Sequence, residues 1–180
     1  MTKTALSAIQ YVAERFAGII TAAACAALVI ATLHIVADVV MTRVFRAPIN
    51  GTHQIVTAYY MVSLFFLPLA YAEGRGAHIK ADLFFGVLPF AVRWVVTFLT
   101  YVTLSGFLMV LTWQMYLRAA RQTRIGEMTL IGDMYLVLWP SRWLAVLGLA
   151  AFAVIVIIRT ISLLLPGGYD QLERRTDDAQ

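Results

Sequence analysis

The chain has little of what an enzyme or a secreted module needs. It holds one cysteine, Cys25, so no internal disulfide can form and a disulfide-built scaffold is excluded. Only 13% of its 180 residues are charged, against about a quarter in ordinary soluble domains, which excludes a disordered chain. Catalytic signatures are missing as well. There is no G-x-S-x-G, no P-loop, no H-E-x-x-H and no Cys/His spacing suited to a metal. The net charge of +4 has no aromatic-studded basic face on a soluble domain to serve. It therefore points away from nucleic acid and toward anchoring in membrane lipid headgroups.

Apolar residues dominate instead, at 61% of the chain. They gather in four blocks, 17–40, 54–72, 94–117 and 143–165. Each is close to the roughly 20 residues that a helix needs to cross a bilayer core. The longest piece between or beside them, 118–142, is too short to bury a core of its own. The expected architecture is an all-α polytopic membrane protein with four transmembrane helices plus short interfacial helices. It forms a single membrane domain over 1–180, with a mobile polar tail at 169–180. The first block begins after Glu14-Arg15 and is too long for the apolar region of a signal peptide, so it reads as a retained span. Eight Lys and Arg residues fall on the side of the termini and six on the other, which favours both termini in the cytoplasm.

Polar residues within this apolar frame are the candidates for function. Residues 3–16 suit a short interfacial helix running into the first span. His34 and Asp38 lie four apart, on one face near the end of that span. They form either a relay or ion site, or a structural pair in which Asp38 meets Arg43 or an interhelical hydrogen bond forms. Pro68 is expected to kink the second span. Arg118, Arg121 and Arg124 follow the third span as a basic rim, there to dock an acidic partner or to be solvated or bound to lipid. Trp139-Pro140-Ser141-Arg142-Trp143 reads as an interfacial anchor that opens span four. Arg159 falls near the end of that span, where it can snorkel to headgroups. Between spans two and three, Gly74 and Gly76 allow a tight reversal. The stretch Ile79 to Leu88 is either an interfacial helix or a solvated connector.

That connector carries a resemblance. Gly76-x-His78-Ile79-x-Ala81-Asp82-Leu83 is similar to the G-x-H-I-x-V-D-L of the small membrane subunit, DctQ type, of tripartite ATP-independent periplasmic (TRAP) transporters. Arg43-Val44-Phe45, Pro48-Ile49, Gly51 and Trp139-Pro140 support it, and it extends over essentially the whole chain. Two positions depart from the family pattern: Gln54 stands where a glutamate is common, and Ala81 where valine is usual. The resemblance implies a scaffold subunit beside a large elevator-type membrane subunit, in sodium-driven uptake of an organic acid such as a dicarboxylate or sialic acid. A periplasmic substrate-binding protein would capture the substrate. It implies no cofactor in this subunit, with sodium bound by the large one, and a place in the bacterial inner membrane. Gly76, His78, Asp82, Arg43, Gln54, His34 and Asp38 would be structural or subunit contacts, and Arg118, Arg121 and Arg124 periplasmic partner contacts. Two competing readings are a respiratory anchor subunit and a small four-helix channel. His34 and His78 fall at opposite ends of the bundle, so they cannot share one haem.

Overall fold

The computed structural model describes residues 2–74, 89–132 and 134–164. Four of its helical stretches are long and apolar enough to cross a membrane. The first, α1 (Thr2–Val44), runs 43 residues without a break. At about 1.5 Å per residue it reaches about 65 Å, twice the hydrocarbon thickness of a bilayer. The short helix expected at 3–16 is therefore continuous with the span, one rod rather than two elements.

The second pass is the irregular one. It comprises α2 (Thr52–Ile55), a π-helical turn (Val56–Met61), α3 (Val62–Phe66) and α4 (Leu69–Gly74). Proline has no N–H to return to the preceding turn, and the helix is interrupted at Leu67–Pro68 as expected. The bonds Leu67 N–H to Ser63 (3.1 Å) and Ala72 N–H to Pro68 (2.9 Å) flank the break on either side. The π turn has no counterpart in the sequence reading. It widens the ladder by one residue, and it contains Tyr59 and Tyr60, which reach different neighbours.

The third pass, α5 (Phe90–Ile125), continues well beyond the apolar block. Much of the connector expected at 118–142 is therefore helix, and Arg118, Arg121 and Arg124 stand on its last turns. Gly126 stops it in the left-handed conformation (φ 62°), with its N–H on Thr123 and that of Glu127 on Gln122. The rest of the connector is an antiparallel hairpin of β1 (Met128–Ile131) and β2 (Met134–Val137). Met128 stands opposite Val137 and Ile131 opposite Met134. The last pass, α6 (Trp139–Leu163), opens with Pro140 in its first turn, where a missing N–H costs nothing.

Helix α6 is the hub. Half of its apolar window is buried, against 6% for α5. It packs on α5 to one side and on α1, α3 and α4 to the other. A Cβ at Gly148 would lie 2.4 Å from the Phe66 carbonyl oxygen, so the close crossing of α6 and α3 needs glycine there. Around it Ala17, Ala70, Leu108, Leu149, Phe152 and Val156 form the main core, and Ile20, Ala24 and Leu67 a second patch. Small residues dominate the α1 side, as expected where helices must pack closely without a hydrophobic drive from the surrounding lipid.

Candidate functional site

Two charged side chains lie inside the bundle. Glu73, near the end of α4, is 1% exposed, and Arg159, on α6, is 6% exposed. Arg159 Nη1 donates to Glu73 Oε1 at 3.0 Å and to the Tyr101 hydroxyl at 3.3 Å. Its Nη2 donates to the carbonyl of Gly74 at 2.9 Å. Tyr101, on α5, donates its own hydroxyl to Glu73 Oε1 at 3.1 Å. Three passes thus meet at one polar knot. One turn beyond Arg159, Leu163 packs with Trp94, Phe98 and Tyr101 and lays an apolar layer over the pair. This overturns the expectation that Arg159 snorkels to headgroups: a carboxylate and a backbone carbonyl inside the bundle serve it better than a route past that layer. An unpaired charge here would cost several kcal/mol, so the knot fixes how α4, α5 and α6 meet. Close by, the hydroxyls of Ser105 and Thr160 hydrogen-bond at 2.9 Å and tie α5 to α6 again.

The opposite end of the bundle is built from weaker, more exposed contacts. Asp38 Oδ1 accepts the Ile49 N–H at 2.8 Å, which folds the 45–51 turn back on α1. Asp38 is thus a turn cap, and its ion pair with Arg43 is not formed. His34 Nδ1 lies 3.5 Å from the Tyr60 hydroxyl, with the rings edge to face, so its contact is interhelical. Tyr59 donates to the Val137 carbonyl and holds the hairpin over the second pass. Gly51 (φ 87°) gives Ile131 room against the turn. Arg142 grips Glu127 at the foot of the hairpin with two bonds of 2.8 and 3.1 Å. Trp143 donates to Thr123 at 3.0 Å, tying the start of α6 to the end of α5.

The sequence-predicted residues do not converge on one place. Arg43 is exposed at the end of α1 and Gln54 is exposed on α2. Arg118, Arg121 and Arg124 are exposed on α5, with Arg118 and Arg121 on one side. His34 and Asp38 share the α1 face toward the second pass but hold different partners. Gly76, His78 and Asp82 lie outside the described residues. Sequence reasoning missed Glu73, Tyr101 and the pairing of Arg159. The signal was available, since two opposite charges bordering or interrupting two apolar blocks are expected to find each other. Among the described residues, no group of three or more His, Cys, Asp or Glu could hold a metal ion.

The bundle can be compared with known proteins on this footing. No curated protein and no solved structure matches the chain. A family model does: residues 31–165, three quarters of the sequence, match tripartite ATP-independent periplasmic transporters, DctQ component. The matched stretch takes in the last third of α1, every later helix, the hairpin and the Glu73–Tyr101–Arg159 knot. The chain belongs to the DctQ family, the small membrane subunits of TRAP transporters.

Proposed function

We propose that this subunit is a static scaffold, bound laterally to the large membrane subunit of a sodium-driven uptake system for an organic acid. A dicarboxylate or sialic acid, delivered by a periplasmic binding protein, is the substrate class. The large subunit moves it by an elevator-type displacement, and sodium binds there. The observation that carries the scaffold role is the use of polar groups inside the bundle. Glu73, Tyr101 and Arg159 bond to one another, as do Ser105 and Thr160. A transport site calls for half-helix ends aimed at a shared midplane cavity, whereas the break in this chain's second pass at Pro68 is flanked by helix bonds on either side. The subunit sits in the inner membrane with both termini cytoplasmic and the hairpin periplasmic. Gly76, His78 and Asp82 then belong to a cytoplasmic contact.

Tagged purification from native membranes in mild detergent, followed by mass spectrometry, tests this reading. A much larger multispanning protein is expected in fixed ratio with the chain. Recovery of the chain alone, stable and colourless, contradicts an obligate subunit. Alanine at His78 and Asp82 is expected to lower the yield of the complex, and an unchanged yield removes the cytoplasmic contact from the account.

A further inference from the structure

Helix α5 carries polar side chains, unpaired among the described residues, within the apolar surface it turns away from the bundle. Its inner face is set by Leu108 and Ala119, both buried, and by Tyr101 and Met115. On the outward surface stand Thr103, Gly106, Gln114 and Arg121, with Arg118 at its edge, interleaved with the equally exposed apolar Phe107, Val110, Trp113 and Leu117. Two hydrogen bonds set the level of these residues against α6. Ser105 pairs with Thr160, and Thr123 with Trp143. Gln114 lies midway between Ser105 and Thr123, and so is level with the residues midway between Trp143 and Thr160, at the centre of α6. At about 1.5 Å per residue, Arg118 and Arg121 follow about 6 and 10 Å further toward the hairpin end. That keeps them within the roughly 15 Å half-thickness of the hydrocarbon.

Among the described residues, none of these three side chains has a hydrogen-bond or ion-pair partner. Lipid tails offer a carboxamide no acceptor or donor, and a guanidinium at such depth is costly. Beside them Gly106 opens a notch, since nothing lies within 4 Å of the Cβ position there. The outward face of α1 is the internal contrast. From Leu28 to Val40 its exposed residues are apolar except Thr32, whose hydroxyl is already bonded to the Leu28 carbonyl at 2.9 Å. That face is made for lipid.

We infer that the outward face of α5 is the docking surface for a transmembrane helix of the large subunit. That helix would place a hydrogen-bonding side chain opposite Gln114 and a carboxylate opposite Arg118 and Arg121, with its backbone close at Gly106. This deepens the scaffold reading and rests on it: it names which side of the subunit meets the partner. Gln114 and Arg118 are the anchoring pair, because they lie deepest and lipid satisfies them least.

The experiment uses the complex in its own membranes. A photoreactive amino acid replaces Val110 in one variant and Leu33, on the α1 face, in another. A third variant carries Gln114→Leu with Arg118→Leu, substitutions that suit lipid and leave the bundle core untouched. The expected result is a crosslink to the large subunit from position 110 and none from position 33. The Leu double variant is expected to recover roughly tenfold less large subunit, with its own abundance unchanged. Crosslinking from position 33 instead, or full recovery with the double variant while wild type also recovers it, overturns the α5 face and leaves the scaffold reading standing. An adduct of twice this chain's mass from position 110 overturns the choice of partner. If wild type recovers no large membrane protein at all, both readings fall.

Discussion

Helices α5 and α6 lie side by side, and one arginine of each, Arg118 and Arg159, is treated in the opposite way. Arg159 of α6 is buried with a carboxylate, a phenol and a backbone carbonyl around it. Arg118 of α5, at a depth where water is also scarce, is exposed and has no partner among the described residues. The chain therefore completes the polar chemistry of Arg159 within itself and leaves that of Arg118 open. In a membrane this difference is informative, because apolar burial is as available in lipid as in protein and polar groups decide which surfaces must meet.

The comparison can be broken most severely at Arg159. Arg159→Leu strands the Glu73 carboxylate in the bundle and is expected to cost about 3–5 kcal/mol, read as lost folded yield and a lower Tm in detergent. Adding Glu73→Leu removes the stranded charge. The double variant is expected to regain most of that stability, because a well-packed apolar pair is often neutral relative to a buried ion pair. If the double variant is as unstable as the single one, the knot is not held by charge pairing. Next in size is Gly148→Ala. Its methyl group meets the Phe66 backbone at 2.4 Å, so α6 must shift, at an expected cost of about 1–3 kcal/mol by thermal unfolding. Tyr101→Phe keeps the ring and removes one donor from Glu73, an effect of about 1 kcal/mol on the same assay. The smallest change belongs to Arg142→Ala. Its side chain is 50% exposed in the pair with Glu127, and such pairs contribute about 1 kcal/mol or less. High salt is expected to shrink even that difference.

The four passes were legible because span length and apolar composition are set by the bilayer, and neither depends on which helix meets which. The break at Pro68 and the start of α6 near Pro140 were legible for a local reason, the missing N–H. The hairpin was missed although Gly132-Asp133 between two short apolar runs is a recognised two-residue turn pattern. Those runs, Met128–Ile131 and Met134–Val137, are each only four residues long and fall between two apolar blocks that dominate the pattern. The helix of Arg159, taken alone, suggests only snorkelling. Its carboxylate lies on a different pass, at Glu73, the first residue after the apolar block 54–72. The π turn at Val56–Met61 leaves no compositional trace. Pairings between passes are tertiary facts, and a single sequence carries them only as unspent charges.

One measurement sets the two arginines against each other directly: thermal unfolding of the chain alone and in complex with the large subunit, for wild type, Arg159→Leu and Arg118→Leu. The account predicts that Arg159→Leu lowers Tm in both states. It predicts that Arg118→Leu leaves the isolated chain as stable as wild type and loses stability only in the complex. An isolated chain destabilised as much by Arg118→Leu as by Arg159→Leu would contradict it, since Arg118 would then be serving this chain's own fold.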